Sequence, residues 1–162
     1  MEVCTAVPRG DGSFLFEEIQ LIRSLPSLAG DHLALLDGPV TVILTSHNPN
    51  GSSHHSPVWL GRDDSHLYLS SFRGRLNDRN LRARPDVVLL LVDPAEPYRR
   101  LTVSGVVCEV IDEDFQSNAT TKLINQLGTS EPVCPFDPSD PPHTEARVLY
   151  RIRPERFVLY RC

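Results

Sequence analysis

Lysine is nearly absent: of the 16 basic residues in this 162-residue chain only Lys122 is lysine, and 21 acids leave a net charge of −5. That balance argues against nucleic acid as a partner. No apolar run approaches the roughly 20 residues that span a bilayer, which argues against a membrane protein. The opening Met1 to Thr5 has no basic-then-apolar pattern, and the expectation is a cytoplasmic protein. The four cysteines (Cys4, Cys108, Cys134, Cys162) form no Cys-x-x-Cys pair, so a zinc knuckle is not expected and free thiols are. There is no phosphate-loop glycine motif and no Ser–His–Asp order. These gaps suit an enzyme whose cofactor carries the chemistry while the protein supplies position and electrostatics.

Hydrophobic content of 40% and charged content of 23% fit a soluble globular domain. Residues 1–13 are expected to be a flexible leader and 14–162 one domain. Phe14, Leu15, Ile19, Ile22 and Leu25 recur at helical spacing and predict a helix over 14–25, ended by Pro26. A short helix is expected over Asp31–Leu36. Strands are expected over Val40–Ser46, His54–Leu60 and His66–Ser71, joined by the turns Asn48–Gly51 and Gly61–Asp64 into an antiparallel meander. An arginine-rich helix follows over Arg73–Arg84. Val87–Val92 is continuously apolar and predicts a strand buried on both faces. Arg100–Ile111 reads as a long strand with a bulge at Gly105, and Cys108 on it as a small core residue. Asp112 opens a helix over 113–127, a proline-rich loop covers 128–144, and two last strands flank Pro154. The class is mainly β: six to seven antiparallel strands with flanking helices, closed into a small barrel because closure removes exposed edges.

The block from residue 39 to 85 holds the candidate site. Its strand ends bring hydroxyls and backbone amides towards Arg73, Arg75 and Arg79, whose guanidinium groups match phosphate oxygens. The bland alternative is a solvated arginine face. His54 and His55 alternate along a strand and point to opposite faces, so no metal site is expected. Trp59 reads as a core or interface aromatic.

The ordered set Thr45–Gly51, Ser56–Trp59, Leu69–Ser71, Arg75, Arg79–Leu81 and Val92–Pro94 resembles the pyridoxamine 5'-phosphate oxidase-like split β-barrel family, FMN-binding split barrel type. Within it the chain looks closest to the branch that uses coenzyme F420, a deazaflavin with a phosphate and a glutamate tail. The resemblance implies a cofactor site made of His54, Ser56, Pro57, Val58, Ser70, Ser71, Arg75, Asn77, Arg79 and Asn80. In it Ser56 to Val58 run under the ring and Ser70 and Arg75 hold the phosphate. It implies a homodimer with cofactor sites at the interface and hydride transfer from reduced F420 to an activated C=C or C=N bond of a small molecule, such as a natural-product intermediate. The other implied readings are an FMN-dependent oxidase or flavin reductase, and a non-catalytic flavin- or tetrapyrrole-binding protein. The family often has lysine two residues after Arg75; here Asn77 removes that charge, and Arg73 could take its place.

Overall fold

A computed structural model describes residues 2–8, 10–11, 14–28, 30–38, 40–112 and 147–161. Among them nine strands form one antiparallel sheet, with two α-helices and a 3-10 turn at Leu25–Ser27. The strands are β1 (Glu2–Pro8), β2 (Phe14–Ile22), β3 (Val42–His47), β4 (Ser53–Val58), β5 (Leu60–Arg62), β6 (Leu67–Phe72), β7 (Asp86–Val92), β8 (Arg100–Asp112) and β9 (Arg147–Arg161). Helix α1 covers Asp31–Asp37 and α2 covers Leu76–Ala83. The fold is a mainly β split barrel.

β9 organises the sheet. Along one flank it pairs with β8 from Val148 to Tyr160. Its other flank is divided: Arg147–Ile152 pair with β6 and Phe157–Arg161 pair with β2. From β8 the ladder continues through β7 and β3 to β4, which is an edge, while β5 hangs on β6. The inward side chains are mostly apolar, at every second position. Leu44, Leu89, Leu91, Leu101, Val103, Leu67, Leu69, Ile152 and Phe157 are all essentially excluded from water. Each such burial is worth about 1.5–3 kcal/mol. Leu35 and Leu36 of α1 and Leu81 of α2 complete that core.

The structure departs from sequence expectation where long-range pairing decides. Residues 14–22 form a strand, not a helix, because β1 and the last part of β9 both supply partners. A stretch rich in Phe and Ile takes that option readily. Residues 2–8, expected as a leader, are the outer strand of this hairpin, and the hairpin raises the strand count above seven. The expected meander is interrupted: β4 ends at Val58, and β6 pairs with β5 and β9 rather than continuing from β4. β7 is not buried on both faces: Val87, Leu89 and Leu91 are inside, and Val88, Leu90 and Val92 are only half-buried. The expected helix over 113–127, the loop 128–144 and Cys134 lie outside the described residues.

The final two expected strands are one continuous β9 despite Pro154. Pro154 sits between the β6 and β2 ladders, so on that flank its missing N–H breaks no ladder bond. On the other flank it faces Gly105, where the β8 register shifts, as the bulge reading expected. A second shift between Val107 and Glu109 skips Cys108, which is exposed rather than in the core, its thiol donating to the Arg151 carbonyl at 3.4 Å.

Gly105 is required by space. A Cβ there would lie 2.7 Å from the Arg153 carbonyl oxygen and 2.9 Å from Ile152 Cγ2. Both belong to β9, so relief means moving the central strand. Gly105→Ala is expected to cost about 1–3 kcal/mol of stability, the range for overpacking. Denaturant unfolding measures this, and a midpoint equal to wild type would show that β9 yields freely.

Candidate functional site

The predicted site residues fall on three converging elements: edge strand β4, the end of β6, and α2, which lies against both β3 and β6. The β3–β4 hairpin is set by the turn Asn48–Ser52. Gly51 has φ +83° and donates to the Asn48 carbonyl at 3.0 Å, and the Asn50 side chain accepts from the Ser52 N–H at 3.0 Å. The register places His54 opposite Ser46, Ser56 opposite Leu44 and Pro57 opposite Ile43. His54, Ser56 and Val58 share the half-buried face of β4, whereas His55 and Pro57 face outward. Pro57 is accommodated because β4 is an edge. His54 and His55 lie on opposite faces of β4, as expected, with His55 Nδ1 3.0 Å from Thr45 Oγ1.

At the end of β6, Ser70 pairs with Leu149 and Ser71 with Val148. The Ser70 hydroxyl is buried and has no hydrogen-bond partner among the described residues. An orphaned buried hydroxyl costs free energy unless something binds it. The chain then turns at Phe72–Arg75, where Gly74 adopts φ +81° and the Arg75 N–H reaches the Phe72 carbonyl at 3.3 Å. Arg75 caps α2 with no side-chain hydrogen bond to the helix, and its guanidinium lies 4.7 Å over the Phe72 ring. Arg79, one turn on, is exposed. The expected helix Arg73–Arg84 thus begins at Leu76, and Arg73 and Arg75 belong to the turn that precedes it.

Asn77 and Asn80 face inward. Asn77 Nδ2 donates to Ser56 Oγ at 2.6 Å, and its Oδ1 accepts from Ser46 Oγ at 3.3 Å. Buried Asn80 donates to Ser46 Oγ at 3.3 Å and to Asn48 Oδ1 at 2.9 Å. Four of the named positions, His54, Ser56, Asn77 and Asn80, therefore gather around Ser46, which sequence reading did not single out. Arg73, which could stand in for the absent lysine charge, has its guanidinium paired with Asp112 at 3.1 Å.

The site's foundation was also missed. Asp78 is buried, and its carboxylate accepts from the Gly74 N–H at 2.7 Å, from Arg82 Nε at 2.7 Å and from the Tyr150 hydroxyl of β9. Arg82 also pairs with Asp112. Burial alone would raise the Asp78 pKa, but the bonds from Gly74, Tyr150 and Arg82 outweigh it and hold the carboxyl below the ordinary range. Burial, with the Asp78 hydrogen bond, pushes the Tyr150 hydroxyl well up, so it stays protonated and donates. In the sequence Asp78 shows only as an acid in a helix's first turn. That Tyr150, 72 positions away, meets it depends on the β6–β9 register.

Because the folded pKa of Asp78 is depressed, its stabilisation is fully present above the unfolded value near 3.9 and is lost as pH falls through the folded value. Asp78→Ala strands the Tyr150 donor and is expected to cost about 1–3 kcal/mol or more at pH 7. The difference from wild type should shrink as pH falls below the unfolded value. Urea titrations at pH 7 and pH 3 test this, and a difference independent of pH would remove the carboxylate from the account.

No curated protein sequence matches the chain. Among solved structures, an F420 reductase is 27% identical with a TM-score of 0.64, covering 80% of this chain and 98% of its own. General stress protein 26 of Bacillus anthracis is 19% identical with a TM-score of 0.52, covering 79% and 90%. An FAD-binding protein of Mesorhizobium loti is 18% identical with a TM-score of 0.55, covering 89% and 99%. The last two show the fold alone. The family model for pyridoxamine 5'-phosphate oxidase matches residues 28–160, a span that contains β3 to β8, both helices and nearly all of β9. With a barrel, an edge strand and an arginine-capped turn arranged in that order, the chain belongs to the pyridoxamine 5'-phosphate oxidase family of flavin- or deazaflavin-binding oxidoreductases.

Proposed function

We propose that the protein is an F420-dependent reductase acting on an activated C=C or C=N bond of a small organic molecule. The observation that carries a phosphorylated cofactor is the buried Ser70 hydroxyl, without a hydrogen-bond partner among the described residues, shortly before the turn that presents Arg75. The α2 N-terminus adds to it, because its N-cap residue Arg75 makes no side-chain capping bond and the helix dipole favours an anion there. The likeness to an F420 reductase over 98% of that structure favours the deazaflavin over FMN.

In this reading Ser70, Ser71 and Arg75 hold the phosphate, with Arg79 adding charge from the next turn of α2. Ser56, Pro57 and Val58 line the ring on the half-buried side and open edge of β4, and His54 borders it. Asn77 and Asn80 brace that strand from α2. The deazaflavin supplies hydride transfer when bound. The chain's part is to hold the ring flat against β4, exclude water from one side of it and fix where an acceptor can stack. Orientation of that kind supplies several kcal/mol of barrier lowering. A second copy of the chain would cover the open edge of β4. We place the enzyme as a cytoplasmic homodimer whose cofactor sites lie at the subunit interface. No helix among the described residues is long and apolar enough to cross a membrane.

Binding discriminates between the candidates. Fluorescence titration is expected to give saturable binding of F420, tighter than that of FMN, and Arg75→Ala should weaken it by about 1.5–3 kcal/mol. Tighter FMN binding would move the assignment to a flavin enzyme of the same fold. An unchanged dissociation constant for Arg75→Ala would return that residue to the solvated face.

A further inference from the structure

The hydrogen bonds linking α2 to β3 and β4 run in one direction, and an arginine sets it. A guanidinium can only donate. Arg84 is held by its Nε on the His47 carbonyl at 2.7 Å, and its other nitrogen lies 3.4 Å from Asn80 Oδ1. Asn80 must therefore turn its amide oxygen to Arg84 and its NH2 group towards Ser46 and Asn48. Ser46 Oγ, accepting from Asn80, has its own proton left, and it donates that to Asn77 Oδ1. Asn77 then has only its NH2 group to offer β4, and it donates to Ser56 Oγ at 2.6 Å. The bonds thus form one consistent series of donors running from the guanidinium to β4. Ser46 and Asn80 are both almost fully buried, so water does not compete for these protons.

The chain of bonds ends at Ser56, whose oxygen accepts from Asn77 and whose proton is given to no described residue. We infer that Asn77 is a positioning residue that leaves the Ser56 proton uncommitted and available to the bound ring, so that the neutral amide where the family often has lysine serves the ring and not the phosphate. The inference rests on the cofactor reading above. A donor at that place recognises an electron-rich acceptor on the ring, a carbonyl oxygen or a deprotonated nitrogen. It interacts more strongly with the form of the ring that carries more negative charge. Aligned donors polarise one another, which strengthens the last bond in the series.

Asn77→Asp is nearly isosteric and reverses the end of the series. An ionised carboxylate only accepts, so Ser56 must donate to it and has no proton for the ring. The measurement is F420 and FMN titration of wild type, Ser56→Ala, Asn77→Asp and the double variant, with the ring absorption spectrum recorded at saturation and the thermal midpoint of each protein. Repulsion between the new carboxylate and the cofactor phosphate persists with or without the Ser56 hydroxyl, so comparing the two backgrounds removes it. Asn77→Asp is expected to weaken binding about five- to tenfold more when Ser56 is intact than in the Ser56→Ala background. The bound-ring absorption shift of wild type should be lost equally in both single variants. Equal losses in the two backgrounds, or an absorption shift that survives Asn77→Asp, would overturn the inference while leaving the cofactor reading intact. Failure of wild type to bind either cofactor overturns both. Where the Asn77→Asp variant does not fold, uncharged Asn77→Ala replaces it, and its effect should also depend on Ser56.

Discussion

β9 must hold three partners at once: it is fifteen residues long, and β8 takes one flank while β6 and β2 share the other. A strand with three partners cannot shift its register without breaking all three ladders and turning its inward side chains outward. The irregularities of the barrel collect where the shared flank changes hands. Pro154 lies in the gap between β6 and β2, and Gly105 opposite it has no room for a side chain. The bend there belongs to the closure of the barrel, since a bulge increases local twist.

The same strand fixes the face that carries the candidate site. Tyr150 projects from β9 into the core and donates to Asp78, which in turn holds the turn at Gly74 and pairs with Arg82. α2 is thus secured to the barrel on one side through a buried carboxylate and on the other through Asn77 and Asn80 to β3 and β4. An eight-residue helix has little stability of its own. Its position, and with it the direction in which Arg75 and Arg79 point, comes from these side-chain bonds. Breaking a buried polar contact so that its partner is stranded costs more than the contact contributes when made. The anchoring is therefore much harder to lose by halves than an apolar seam would be.

Local signals were legible where neighbours in sequence are neighbours in space. The β3–β4 hairpin followed from Asn48 to Gly51, α1 from its leucines, and the bulge from Gly105. The signals failed where a distant partner decides. Phe14 to Ile22 carries helical spacing and yet pairs with two strands, one of them supplied by residues 157–161. Val87 to Val92 is uniformly apolar although its outer face is only half-covered, a difference composition cannot express. The site divided in the same way. Ser70 and Arg75 entered as candidates through the family resemblance, but Ser46, Asp78 and Tyr150 gave no such signal, since their contacts exist only through the register of β3 with β4 and of β6 with β9.

The arginines show why charge alone misleads. Residues 73–84 carry five of them beside two asparagines and one aspartate, and as a sequence that is a basic stripe. In the fold, Arg73 and Arg82 are paired with Asp112 and Arg84 is bound to a carbonyl. Arg84's contribution to the site is the direction it imposes on neutral groups. A lysine at position 77 would add a charge but could not accept from Ser46, leaving that buried hydroxyl's proton without its present partner. An amide, which donates and accepts at once, is the side chain that can sit in the middle of such a series. Asn77 reads as a deficit only if the residue is assumed to face the phosphate; its bonds to Ser46 and Ser56 show that it faces the strands.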